Sequence, residues 1–191
     1  GLNNSSKLTF NYADEVRGEI EIDSDNNVVV GTCTRSKDFP TLNPIQPILS
    51  SGLEGCIFKL DRHLSNIIWS TYFGGSGDDC IYSVDFNRNN DIVFGGGTTS
   101  SDLNTTPSAF QQSYNSSNAL SPDVFITKID NNADSILFST YFGTDLYDQV
   151  FFIDVTKNDQ VHVLGQTNDT NNFFIKKSTI CLLYTSDAAD D

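Results

Sequence analysis

Acidic side chains recur in pairs along this chain, and carboxylates brought together can do more than carry charge. Asp78-Asp79 occupies one place, Asp14-Glu15 a corresponding earlier one, and Asp145 with Asp148 a later one. Set at one corner of successive structural units, they could hold calcium, since hard cations collect several oxygen ligands, or a polyol. The same acids could instead cap turns and accept backbone N–H bonds where one unit passes to the next. The second reading is favoured. A structural requirement returns in every unit, whereas a ligand site usually occupies one place.

Other constellations carry less. Asp23-Ser24-Asp25-Asn26-Asn27 begins like a calcium-binding helix-loop-helix segment, but lacks the glycine at its sixth position and the glutamate at its twelfth. It serves as a turn. Gly95-Gly96-Gly97 has no following lysine or hydroxyl residue at phosphate-loop spacing, so a close backbone approach explains it better. His63 and His162 stand far from the cysteines in sequence, and His162 in Val161-His162-Val163 reads as a strand residue. Catalysis would need a nucleophile with its base, or two carboxylates within reach of a glycosidic bond, and neither pattern is assembled. The Ser-x-Asp-x-Gly-x-Thr-Trp box of sialidases is absent as well. No enzyme is expected. Cys33, Cys56, Cys80 and Cys181 lack zinc spacing and read as small buried thiols, with one disulfide among the first three allowed in an oxidising compartment.

A long internal repeat must position these residues. Ile68-Trp69-Ser70-Thr71-Tyr72-Phe73-Gly74 returns as Leu137-Phe138-Ser139-Thr140-Tyr141-Phe142-Gly143, an offset of 141 − 72 = 69. Asp79 and Asp148, Asp85 and Asp154, Gly96 and Gly165, and Thr98 and Thr167 keep that offset. An earlier copy matches at 95 − 31 = 64, through Val28-Val29-Val30-Gly31 and Ile92-Val93-Phe94-Gly95. A five-residue difference belongs in a loop.

Each full unit holds four apolar runs of strand length bounded by Gly, Asn and Asp. They are expected near 16–22, 27–33, 55–60 and 67–73, and again near 80–86, 91–97, 123–129 and 135–142. Asn/Asp-rich turns, such as Asp23 to Asn27 and Asp130 to Asp134, make consecutive antiparallel hairpins. The connection from Thr98 to Pro122 is long enough to carry function or structure of its own. Within it, Thr106-Pro107-Ser108-Ala109-Phe110-Gln111-Gln112 reads as a capped turn of helix anchored by Phe110. The expected fold class is all-β, in four-stranded antiparallel sheets.

The signature Ser70-Thr71-Tyr72-Phe73-Gly74-Gly75-Ser76-Gly77-Asp78-Asp79, the Gly95-Gly96-Gly97-Thr98 strand end, Asp38-Phe39-Pro40-Thr41 and Asp123-Val124-Phe125-Ile126-Thr127-Lys128-Ile129-Asp130 resemble the bacterial SBBP repeat of seven-bladed β-propellers. The resemblance covers residues 10–177 and implies a partial propeller of about two and a half blades, near 10–74, 75–143 and 144–177. Thr144-Asp145-Leu146-Tyr147-Asp148 departs from the Gly-Ser-Gly-Asp-Asp pattern. Asn11 to Ile20 resembles a blade start in large surface proteins of gliding Bacteroidota exported by the type IX route, which implies a secreted or cell-surface address.

Charge narrows the partners. With 25 acidic and 11 basic residues the net charge is −14, which excludes the Lys/Arg stripe of a nucleic-acid binder and disfavours anionic membrane. No apolar run is long enough to span a bilayer. Residues 181–191, Cys-Leu-Leu-Tyr-Thr-Ser-Asp-Ala-Ala-Asp-Asp, resemble translated adaptor sequence and are set aside; without their three aspartates the charge is 11 − 22 = −11. The native protein is expected to be longer. The leading expectation is a non-catalytic binding or adhesion scaffold for a protein or carbohydrate ligand, completed by the remaining blades. The alternatives are an accessory region of a secreted hydrolase and a calcium-stabilised spacer; no other cofactor is expected.

Overall fold

Asn and Asp at the turns and β-branched or aromatic residues between them fold this chain into hairpins. The computed structural model describes residues 18–50, 52–116, 121–169 and 180–184, and Asp14 and Glu15 lie outside that set. The strands are β1 (Glu19–Ile22), β2 (Val28–Thr34), β3 (Glu54–Leu60), β4 (Ile67–Phe73), β5 (Asp79–Phe86), β6 (Ile92–Thr98), β7 (Asp123–Ile129), β8 (Ile136–Phe142), β9 (Asp148–Val155), β10 (Val161–Thr167) and β11 (Ile180–Tyr184). Two antiparallel four-stranded sheets, β1-β2-β3-β4 and β5-β6-β7-β8, follow one another in chain order. A third sheet contains β9 and β10, antiparallel, with β11 parallel to β10. That parallel strand opens the segment set aside in the sequence. The all-β expectation holds, and no helix among the described residues is long and apolar enough to cross a membrane.

The turns repeat atom for atom. Asn26, Asn90 and Asp159 take left-handed φ values of 65°, 62° and 59° in the hairpins β1–β2, β5–β6 and β9–β10. Asn and Asp tolerate that region better than other residues with a Cβ. Asp23 Oδ1 accepts from the N–H groups of Asp25 and Asn27, and Asn87 Oδ1 does the same for Asn89 and Asp91. The hairpins β3–β4 and β7–β8 put Leu64 and Ala133 in the left-handed region instead, at 56° and 57°. Here the local bonding falls to Asp61 and Asp130.

The Ser-Thr-Tyr-Phe-Gly signature secures the outer edge of the first two sheets. The long connection between the second and third strands runs back along the fourth strand of its own sheet. Leu42 exchanges backbone hydrogen bonds with Ser70, and Gln46 accepts from Tyr72 N. One repeat later Thr106 N donates to Ser139 O, and Tyr141 N donates to Gln111 O. The tyrosine hydroxyls donate to Ser36 O and Ser100 O at 2.8 Å, pinning the loop start. An edge strand left bare would template pairing with other chains, so the loop closes it. The helical turn expected at Thr106 to Gln112 does not form. A single bond, Ala109 N to Thr106 O, closes a turn, and the backbone on either side is committed to β8. Phe110 lies against Phe142 with ring centroids 5.6 Å apart, but is 58% exposed, so it anchors weakly.

The second sheet is buried on both faces, which explains why β6 and β7 read as nearly unbroken apolar runs. Ile92, Phe94, Phe125 and Ile129 pack on Val29, Ile57, Trp69 and Phe73 of the first sheet. Val93, Val124, Ile126 and Phe142 pack on Val150, Ile153 and Val163 of the third. Phe73, from the repeated signature, meets Phe94 edge-on at 4.9 Å. Cys33, Cys56 and Cys80 are not joined in disulfides; burial, then the neighbouring Cys33 thiol, pushes Cys56 up to about 12 and raises Cys80.

Candidate functional site: carboxylates at the sheet joints

Where the first sheet hands over to the second, two buried acids face each other across Gly74. Glu54 opens β3 and Asp79 opens β5, and both are fully buried. A methyl group on Gly74 would lie 2.4 Å from Asp79 Oδ2 and 2.6 Å from Glu54 Oε1, so only glycine leaves room for the pair. Asp79 accepts from Gly75 N at 2.8 Å, Thr98 Oγ1 at 2.5 Å and Ser100 Oγ at 2.8 Å. Glu54 accepts from Gln46 Nε2 at 2.6 Å and Ser50 N at 2.8 Å. The Gln46 carbonyl oxygen takes the Gly74 N–H, tying the edge loop to the joint.

The second joint repeats this plan with changes. Asp123 stands for Glu54, Asp148 for Asp79 and Gln111 for Gln46. Gln111 accepts from Gly143 N at 3.0 Å and donates to Asp123 Oδ2 at 3.3 Å. Asp123 Oδ2 also accepts from Asn115 N, while its Oδ1 is buried without a partner. Asp148 Oδ2 accepts from the N–H and hydroxyl of Thr144.

Burial dominates the protonation of these acids. Desolvation, opposed by hydrogen bonds from Thr98, Gly75 and Ser100, pushes Asp79 up to about 7, with the Glu54 charge adding to the rise. Desolvation and the charge of Asp148 likewise bring Asp123 to about 7, and burial raises Asp148. Two carboxylates in one dry pocket cannot both ionise cheaply, so burial and mutual repulsion both favour the protonated form at each joint.

Of the residues singled out in the sequence, the structure separates the two acidic pairs that lie among the described residues. Asp79 and Asp148 are buried in the joints, whereas Asp145 is exposed and Asp78 is half-buried, its N–H donating to Thr99 Oγ1. The acids therefore do not converge as a ring of equivalent ligands. Their partners, Glu54 and Asp123, carry the same 69-residue offset and could have been found by testing every acid for it. No group of three or more His, Cys, Asp or Glu side chains is placed to hold a metal among the described residues.

A second line of acids follows the first strand of each sheet. Glu21, Asp85 and Asp154 occupy equivalent places, and burial, then neighbouring acids, raises Glu21 and Asp85. Glu19 accepts from Val84 N at 2.8 Å and from Ser83 Oγ, and Ser83 Oγ accepts from Ile153 N at 2.8 Å. Asp85 accepts from Val155 N at 2.5 Å. These bonds cross from one sheet to the next, and bulges in β5 and β9 set their geometry. The acids are used as rivets.

A pH dependence follows. In the unfolded chain Asp79 and Asp123 would lose their protons near the usual 3.8, but in the folded chain near 7. The folded state therefore binds more protons between those values, and stability is fully present below the lower one and lost as pH rises through the upper one. Asp23 opposes this at the acid end: burial raises it, but Lys59 and Asn27 together hold it below its usual value, so its contribution is lost as pH falls. The melting temperature should be highest near about pH 4 and several degrees lower at about pH 8. Asp123→Asn should flatten that slope, because its amide would replace the unpartnered Oδ1 with a neutral donor. An unchanged slope in this variant would remove the joint as its origin.

No protein-family model matches this chain, and no curated protein matches it at a significant level of similarity.

Proposed function

We propose that the chain is a stretch of about two and a half blades of a β-propeller of the SBBP type. In this reading it acts outside the cell, secreted or at the surface, as a non-catalytic scaffold for binding or adhesion. One observation carries the non-catalytic part. The repeated acids, hydroxyls and tyrosines that could do chemistry are spent on sheet joints, rivets and edge closure. What varies between repeats is the connection from the second to the third strand, and variable loops on a repeated frame are where recognition resides. The net charge of −14 favours a protein or carbohydrate partner over nucleic acid.

A glycan array and an extracellular-matrix protein panel, probed with the intact chain and with a chain whose 112–116 segment is replaced by Gly-Ser, test this. Binding that the replacement abolishes is expected. Turnover of chromogenic glycosides or esters would overturn the non-catalytic reading, and binding indifferent to the loop would overturn its placement. The unpartnered Asp123 Oδ1 gives one observation to the calcium-stabilised spacer. Because no group of three or more ligating side chains is placed to hold a metal among the described residues, millimolar calcium is expected to leave the melting temperature at neutral pH unchanged. A rise of several degrees, removed by Asp123→Asn, would favour the spacer.

A further inference from the structure

The joint between the first and second sheets shows how a following unit is seated. Lys59, buried, forms an ion pair with Asp23 at 2.6 Å within its own sheet and donates to Asn131 Oδ1 at 2.5 Å in the next. Trp69 Nε1–H donates to Asn131 O at 3.0 Å, and Ala133 drops into the same apolar cluster at 2% exposure. The β7–β8 turn thus plugs a Lys/Trp face on the preceding sheet. Its left-handed residue is small because it must enter a packed core.

One repeat later the face is present, and among the described residues it is open. Lys128 stands for Lys59 and Phe138 for Trp69, and they line a cleft of about 430 Å³ with Val93, Ile126, Leu137 and Val155. Phe138 is only partly buried and Leu137 is 43% exposed. The acid is missing: Asn87 replaces Asp23, and its side chain is occupied by Asn89 and Asp91. The nearby Asp159 is held by Arg88 at 2.6 Å. The Lys128 ammonium makes no hydrogen bond or ion pair among the described residues. An ammonium at the mouth of an apolar cleft favours an incoming carboxylate or amide oxygen.

We propose that this cleft receives the third-to-fourth-strand turn of a further repeat unit, an Asx-Asx-small hairpin like Asn131-Asn132-Ala133, with its first Asp or Asn accepting from Lys128. A second copy of this chain fits poorly. Its exposed turn of this kind, Arg62-His63-Leu64, would bring Arg62 against Lys128 and offers Leu64, 63% exposed, where the filled joint has alanine. The inference rests on the packing of the sheets, so failure of the adhesion reading leaves it untouched.

The test titrates the intact chain with a disulfide-closed hairpin peptide carrying the sequence of residues 127–139, followed by NMR. Saturable binding is expected, with shifts at Val93, Ile126, Lys128, Leu137 and Phe138. Lys128→Ala should weaken it about tenfold, as should arginine at the peptide position of Asn131. The variant should keep the parent melting temperature, since the Lys128 ammonium bonds nothing among the described residues and its backbone pairing in β7 is unaffected. Absence of saturable binding, shifts confined to other residues, or binding indifferent to Lys128→Ala would each overturn the proposal. So would concentration-dependent self-association of the unmodified chain that Leu64→Asp abolishes, since a second copy would then be the occupant.

Discussion

Trp69→Ala should remove about 4 kcal/mol of stability, near the upper end for a large aromatic cut from a packed core. The indole is 1% exposed, fills the space between the first two sheets, and its N–H is satisfied by Asn131 O. Truncation leaves a cavity that rigid strands cannot close and strands the Asn131 carbonyl as well. Phe138→Ala, at the same place one repeat later, should cost less than half as much, because that side chain is only partly buried and borders an open cleft. Urea unfolding of both variants checks the pair. Equal losses would mean that the two positions are packed alike, and the asymmetry between the joints would be wrong.

Gly96→Ala should be more damaging than its size suggests. A methyl carbon there would sit 1.9 Å from the Cys80 carbonyl oxygen and 2.9 Å from its carbon. Both belong to backbone, so no side-chain rotation relieves the overlap. Gly96 lies opposite the bulge in β5, where the register shifts between Ile81 and Ser83. The strands must therefore separate, and we expect a loss of more than about 3 kcal/mol, at or beyond the usual range for overpacking. Gly97→Ala meets only the Gln149 side chain, at 3.0 to 3.3 Å, and should cost about 1 kcal/mol. Gly165 repeats the clash geometry at 2.2 Å from Gln149 O, so Gly165→Ala should resemble Gly96→Ala. If amide spectra of Gly96→Ala keep the β5–β6 pairing at parent stability, the bulge is misplaced.

The first prediction turns on a departure from perfect repetition. The second unit is covered on both faces, whereas Ile20 and Ile22 on β1 are 64% and 61% exposed. Identical motifs therefore differ in energetic weight according to what packs against them. The same principle explains why Lys59 is buried in an ion pair while Lys128 borders a cleft.

Much of this arrangement was legible in the order of residues. The 69-residue offset, the four strands per unit and the Asn/Asp turns are local or self-comparative signals, and β4 and β7 lie where the apolar runs put them. The glycine run was correctly read as a close backbone approach, because only a residue without Cβ tolerates one. Local signals failed wherever a distant partner decided the outcome. Thr106-Pro107 has the composition of a helix start, yet β8 offered its backbone edge bonds, which one helical turn cannot match. Asp79 accepts a backbone N–H from Gly75, as the turn-capping reading expects, but the carboxylate that faces it across Gly74 is Glu54, 25 residues away, which no local signal indicates. The sequence by itself determined the repeat, the strands and the turns, since those depend on spacing and backbone preference. Only the tertiary structure decided which acids face each other at the joints, which edges the long loops close and which Lys/aromatic face borders a cleft, because burial and charge pairing belong to contacts between units.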